Sequence, residues 1–76
     1  MEYLATFENH TQAVGYARAL SQRRIRGSMM PRPRILEASC GTAVRIRTQL
    51  PPAVLQKIAP VQQLYRITAE GYLPVE

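Results

Sequence analysis

One cysteine is the residue of this chain best suited to nucleophilic chemistry. Cys40 is the single cysteine, and it lies between Ser39 and Gly41, downstream of an arginine- and proline-rich stretch at residues 30–34. A thiol in positive surroundings tends to ionise, and the thiolate is the nucleophilic form of cysteine. Gly41 leaves the neighbouring backbone conformationally free. The segment predicts a reactive, partly exposed Cys40 in a loop that precedes a strand.

The arginines near this segment have two candidate roles. Arg32, Arg34 and Arg45 are predicted to supply positive charge to Cys40. Together with Arg47 they would form a positive rim that docks an acidic protein partner. Arginine is usually exposed in any case, so a solvated loop and strand face is the alternative interpretation.

Cys40 itself also has an alternative interpretation. Free cysteine is among the most buried residue types and often behaves as a small, inert hydrophobic residue. His10, the single histidine, is expected to be exposed at the start of a helix. The sequence alone does not place it near Cys40. A buried thiol would favour a structural role, and an exposed thiol would favour chemistry.

Composition limits the classes of function. The chain has 76 residues and a formal net charge of +5, which predicts a single domain with an anionic partner. With one histidine, one cysteine and five scattered glutamates, no metal-ligand spacing is present, and we expect neither a metal nor a cofactor. One cysteine cannot form an internal disulfide. No apolar run approaches the ~20 residues of a membrane span, and the acidic start does not resemble a secretory signal, so we expect a cytoplasmic protein of bacterial type.

The pattern of apolar residues predicts six main elements. Alternation predicts strands over residues 2–8, 24–30, 42–48 and 64–68, and helical spacing predicts helices over residues 10–24 and 52–59. Asn9, with Gln12 three residues later, is typical of a capping box at the start of the first helix. The order is strand, helix, strand, strand, helix, strand. We therefore expect an α+β, ferredoxin-like β-α-β-β-α-β sandwich, with a four-stranded antiparallel sheet and two helices on one face.

The single domain is expected to span residues 1–76, with its core at about residues 3–68 and a C-terminal tail over residues 69–76. The tail includes Gly71-Tyr72-Leu73-Pro74, which would pack on the sheet edge.

Three segments resemble a known family. They are Tyr3-Leu4-Ala5-Thr6-Phe7-Glu8, Pro31-Arg32-Pro33-Arg34-Ile35, and Ser39-Cys40-Gly41-Thr42-Ala43-Val44-Arg45. In this combination the chain resembles the small bacterial selenium/sulfur carrier protein-like domains over roughly residues 3–68. In that family a pair or triplet of serines commonly precedes the cysteine, whereas here the segment is Glu37-Ala38-Ser39. The resemblance implies Cys40 as the carrier residue, followed by Gly41. Of the serine segment only Ser39 matches, and we keep it as a candidate supporting residue.

The first functional hypothesis is a sulfur or selenium carrier. Cys40 would hold a persulfide or perselenide and relay it between a protein donor and a protein acceptor, as a carrier or adaptor rather than a stand-alone enzyme. The second is a non-catalytic protein-interaction module that uses the sheet face or edge, with a homodimer as one form. The third is RNA binding, which the predicted third strand supports poorly, since it offers Arg45 and Arg47 without an aromatic residue for base stacking.

Overall fold

The chain forms five strands and two helices, and the computed structural model describes residues 1–75. The elements are β1 (Glu2–Thr6), α1 (His10–Gln22), β2 (Arg26–Pro31), β3 (Thr42–Arg47), α2 (Pro52–Ile58), β4 (Gln63–Thr68) and β5 (Gly71–Pro74). The strands form one antiparallel sheet in the order β2-β3-β1-β4-β5. The predicted α+β class, with two helices and an antiparallel sheet, is confirmed. Neither helix within residues 1–75 is long and apolar enough to cross a membrane.

The predicted number of strands is wrong, because the sheet has five strands and not four. Residues 71–74, which the sequence placed in a C-terminal tail, form β5 and pair with β4 from Tyr65↔Pro74 to Thr68↔Gly71. Gly71 has φ of 129°, a conformation that residues with a Cβ rarely adopt. It allows the chain to reverse directly after β4, and Pro74 is tolerated because β5 lies at the edge of the sheet.

The two faces of the sheet bury different sets of residues. On one face, alternate strand residues pack against both helices; the buried members of this helix-side core are Tyr3, Ala5, Phe7, Ala13, Tyr16, Leu20, Cys40, Val44, Ile46, Leu55 and Leu64. On the other face, Leu4 and Ala43 pack with Leu36 from the loop between β2 and β3. Arg45 and Arg47 point away from the helix-side core and are exposed. The predicted alternation along β3 is therefore confirmed.

The predicted cap fixes the start of α1. The Asn9 side chain accepts a hydrogen bond from the Gln12 backbone N–H at 2.9 Å, which satisfies one of the free amide groups at the helix start. The Gln12 side chain accepts in return from the Glu8 backbone N–H at 3.2 Å. The helix ends at Gln22, two residues before the predicted end, because Arg24 has φ of 58° and cannot continue it.

A buried tyrosine joins the two helices. The Tyr16 hydroxyl donates a hydrogen bond of 2.8 Å to the backbone carbonyl of Leu55. The last four carbonyls of a helix lack a partner within the helix, and α2 has only seven residues. Burial raises the pKa of Tyr16 to about 12, because the charged phenolate is disfavoured away from water. The short helix α2 is thus tied to α1 by a polar contact inside the core.

Close packing of α1 on β2 gives a first prediction. A Cβ atom added at Gly27 would lie 2.5 Å from Leu20 Cδ1, and Leu20 is fully buried. We expect Gly27→Ala to lower the free energy of unfolding by about 1 kcal/mol, the lower end of the cost of overpacking a core. Urea unfolding measures the change.

The matched control is Gly15→Ala, because a Cβ at Gly15 in α1 would meet no atom within 4 Å. Alanine is favoured over glycine in a helix, so this variant should gain about 0.5–1 kcal/mol. Equal stabilisation of both variants would show that α1 does not pack closely on β2.

Candidate functional site

The segment between β2 and β3, residues 32–41, carries the cysteine and is termed the Cys40 loop. The Arg32 backbone N–H donates to the Gly41 carbonyl at 2.8 Å, and the Cys40 N–H donates to the Phe7 carbonyl at 3.2 Å. Phe7 directly follows β1, so the second bond fixes the end of the loop to the centre of the sheet. Leu36, which is 7% exposed, anchors the middle of the loop on the face opposite the helices.

The thiol-bearing residue is buried, and the predicted partial exposure is therefore wrong. Cys40 is 8% exposed and belongs to the helix-side core. The bond from its N–H to the Phe7 carbonyl holds the residue against the end of β1. Both neighbours, Ser39 and Gly41, are exposed. The buried Cys40 therefore has an exposed neighbour on each side along the chain.

The sulfur atom accepts a hydrogen bond from the backbone. The Thr42 N–H donates to Cys40 Sγ at 3.4 Å, which helps to fix the position of the sulfur atom. Thr42 Oγ1 lies 3.2 Å from His10 Nδ1, within hydrogen-bond distance. His10, the first residue of α1, is therefore linked to Thr42, whose own N–H bonds to Cys40 Sγ.

Neither Thr42 nor this role of His10 was predicted. The Cys-Gly-Thr spacing carried a signal for Thr42, because a side-chain acceptor commonly bonds the N–H two residues later.

Arg32 holds the Cys40 loop closed. Its Nε donates to the Cys40 carbonyl at 3.2 Å, and its Nη1 donates to the Leu36 carbonyl. The guanidinium group is therefore directed at the backbone of the loop and joins its middle to its end. Arg34, two residues later, is exposed and makes no hydrogen bond or salt bridge with residues 1–75. The two arginines of the Pro-Arg-Pro-Arg segment thus have different structural roles.

Arg45 is not brought to Cys40. It forms a salt bridge with Glu2, with Nε 2.7 Å and Nη2 2.5 Å from Glu2 Oε1. Glu2 begins β1, whereas Cys40 bonds to Phe7 just beyond the end of β1. Glu2 and Phe7 are five positions apart along an extended segment, which corresponds to roughly 16 Å. Arg45 and Arg47 also lie on the face opposite the helix-side core, so they do not surround the thiol.

Ser39 is bound to the chain segment that precedes β4. Its backbone N–H donates to Gln62 Oε1 at 3.2 Å, and Gln62 Nε2 donates to the Ser39 hydroxyl at 3.2 Å. The Gln62 backbone N–H donates in turn to the Thr6 carbonyl at 2.7 Å. The Ser39 side chain therefore closes the Cys40 loop. No local pattern in the chain points to Gln62, because it lies 23 positions from Ser39.

Comparison with known proteins gives one match. A family model described as "Putative Se/S carrier protein-like" matches residues 2–69, which include β1 to β4 and the whole Cys40 loop. No curated protein and no solved structure matches the chain. Because the match covers most of the sequence, the chain belongs to the putative Se/S carrier protein-like family.

Proposed function

We propose that this protein carries sulfur or selenium on Cys40 and relays it between a protein donor and a protein acceptor. Membership of the Se/S carrier protein-like family supports the proposal. The structural observation behind it is the backbone N–H of Thr42, which donates to Cys40 Sγ and so holds the sulfur atom where the Cys40 loop joins β3. Ser39, Gly41 and Arg32 support this sulfur by shaping the loop around it.

The proposed transfer needs one nucleophile and no second catalytic group. The Cys40 thiolate attacks the outer sulfur of a cysteine persulfide on the donor. A new S–S bond forms on Cys40 as the S–S bond of the donor breaks, and the donor cysteine leaves as a thiolate with the electron pair. An acceptor thiolate then repeats the step on the Cys40 persulfide. With selenium as the outer atom, the carried group is a perselenide, and the protein acts as a carrier rather than a stand-alone enzyme.

Local opening of the Cys40 loop would give a partner access to the thiol. The loop is closed by the side chains of Arg32, Ser39 and Gln62. A Cβ at Gly41 would meet no atom within 4 Å, so the backbone next to the thiol is open to an approaching protein. Contacts of this kind can break locally while the sheet stays intact.

Intact-mass measurement tests the proposal. Incubation with a cysteine desulfurase and cysteine is expected to add the mass of one sulfur atom to each chain, and selenocysteine in place of cysteine is expected to add one selenium atom. The sulfur atom should be lost on treatment with a thiol reductant. Cys40→Ser is the control and should gain neither atom. An unchanged mass of the wild-type chain would overturn the proposal, as would equal loading of Cys40→Ser.

A second candidate is a non-catalytic protein-interaction module, which the burial of Cys40 favours. In that role Cys40 is a core residue, and Cys40→Ser would leave partner binding intact. The loading experiment separates the two candidates, since only a carrier gains mass.

We interpret the strand order β2-β3-β1-β4 as a ferredoxin-like arrangement to which β5 is added. We place the protein in the cytoplasm, where a lone thiol stays reduced.

A further inference from the structure

Two arginines face each other across neighbouring strands on the side of the sheet that carries no helix. Arg26 of β2 and Arg47 of β3 are direct partners, and both are exposed. Side chains at such positions begin about 4.5–5.5 Å apart, and like charges there are destabilising. The salt bridge formed within residues 1–75 joins Arg45 to Glu2. Neither Arg26 nor Arg47 therefore has a carboxylate partner in the part of the chain that the structure describes.

These arginines line two adjoining cavities, which together are termed the arginine groove. The first has a volume of 240 Å³ and is lined by Glu2, Arg26, Gly27, Ser28, Arg45 and Arg47. The second has a volume of 420 Å³ and is lined by Met1, Arg26, Arg47, Thr48 and Gln49. The groove thus places three guanidinium groups against one carboxylate. It is open to solvent and has an excess of positive charge.

Glu2 shows how a carboxylate binds in the groove. Its Oε1 atom lies 2.7 Å from Arg45 Nε and 2.5 Å from Arg45 Nη2, so one carboxylate oxygen meets two donors of one guanidinium group. Arg26 and Arg47 can offer the same donors to carboxylates from outside. We propose that the arginine groove binds an acidic segment of a partner protein, with carboxylates of that segment on Arg26 and Arg47.

The shape and lining of the groove favour an extended protein segment over nucleic acid. β2 is an edge strand of the sheet, and an open edge can accept an extended peptide. Among residues 1–75, no aromatic side chain lines either cavity, whereas single-stranded nucleic acid is commonly held by base stacking on aromatic rings.

The arginine groove is separate from the Cys40 loop. The groove lies at the start of β1, and Cys40 bonds to Phe7 beyond its end. The groove is also on the opposite face of the sheet from the helix-side core that contains Cys40. A partner bound in the groove would leave the loop free, so this inference does not depend on sulfur transfer.

Peptide binding tests the inference. The probe is a fluorescent peptide of alternating glutamate and threonine, and fluorescence anisotropy gives the dissociation constant. The test variant replaces Arg26→Gln and Arg47→Gln together. The matched control replaces Arg18→Gln and Lys57→Gln, two exposed residues on the helices, and removes the same charge. We expect the test variant to bind roughly fivefold more weakly, as for the loss of two exposed ion pairs, and the control to bind almost as the wild type.

Three results would overturn the inference. Equal weakening in both variants would show that net charge alone attracts the peptide. Tighter binding of a single-stranded oligonucleotide, lost on replacing Arg26 and Arg47, would make nucleic acid the ligand. If the peptide does not bind detectably to the wild type, the groove is not a docking site for an acidic segment. Because the readout is peptide affinity, each of these results is independent of whether Cys40 accepts sulfur.

Discussion

Replacing Arg32 with alanine is expected to accelerate the alkylation of Cys40 by iodoacetamide under native conditions. Cys40 is 8% exposed, so iodoacetamide can reach the sulfur atom only when the Cys40 loop opens. Arg32 donates two side-chain hydrogen bonds to loop carbonyls, and hydrogen bonds from charged groups stabilise by about 1.5–3 kcal/mol when they are shielded from water. Arg32 is half-buried, and a net loss of about 1–2 kcal/mol would raise the open fraction by a factor of roughly 5–30.

Arg34→Ala is the matched control for this experiment. Arg34 carries the same charge two residues away, but its exposed side chain makes no hydrogen bond or salt bridge with residues 1–75. Its removal should leave the alkylation rate within about twofold of the wild type. Urea unfolding of both variants separates opening of the loop from loss of the whole fold. Equal alkylation rates for the two variants would show that Arg32 does not close the loop.

Removing the Tyr16 hydroxyl is expected to destabilise the fold markedly. Tyr16→Phe leaves the Leu55 carbonyl without its 2.8 Å hydrogen bond in the core, and an unsatisfied buried acceptor costs about 1–3 kcal/mol. The loss of stability should be largest in α2, because a helix of seven residues is too short to be stable alone. Urea unfolding gives the total effect, and amide hydrogen exchange should show faster exchange in α2 than in α1. A stability equal to that of the wild type would rule out this bond as the anchor of α2.

The same hydroxyl makes stability depend on alkaline pH. Burial raises the pKa of Tyr16 from 10.0 to about 12, so the folded state favours the neutral phenol. The resulting stability is fully present below pH 10 and is lost as the pH rises toward 12. The difference in unfolding free energy between wild type and Tyr16→Phe should therefore shrink from about pH 8 to about pH 11. The other three of the four tyrosines are common to both proteins, so their titration largely cancels in the comparison.

Local patterns in the sequence predicted most of the elements. Successive side chains along β1 and β3 point to opposite faces of the sheet. Buried and less buried residues therefore alternate in sequence wherever one face packs on a core. The Asn9 cap depends on a hydrogen bond across three residues, so it too can be seen in the sequence. β5 was missed because Gly71 and Pro74 at its ends are typical of a tail, and only pairing with β4 stabilises so short a strand.

Contacts between distant residues account for what could not be predicted around the candidate site. The burial of Cys40 follows from its bond to Phe7, which lies 33 positions earlier in the numbering. Likewise, Ser39 is held by Gln62 and not by any neighbour in sequence. Arg45 seemed close to Cys40 along the chain, yet it lies on the other face and pairs with Glu2. The sequence therefore pointed to Cys40 as the candidate residue, but not to the groups that surround it.

The closed Cys40 loop would also protect a sulfur or selenium atom carried on Cys40 from small thiols. A persulfide or perselenide in free solution is readily reduced by small thiols, because any attacking thiolate can reach its outer atom. At 8% exposure, such a group on Cys40 would be shielded from these thiols while Arg32 and Ser39 hold the loop in place. Release would then require an acceptor large enough to displace the loop. Under the proposed carrier function, burial would slow the loading of Cys40, protect the carried atom and restrict its delivery to protein acceptors.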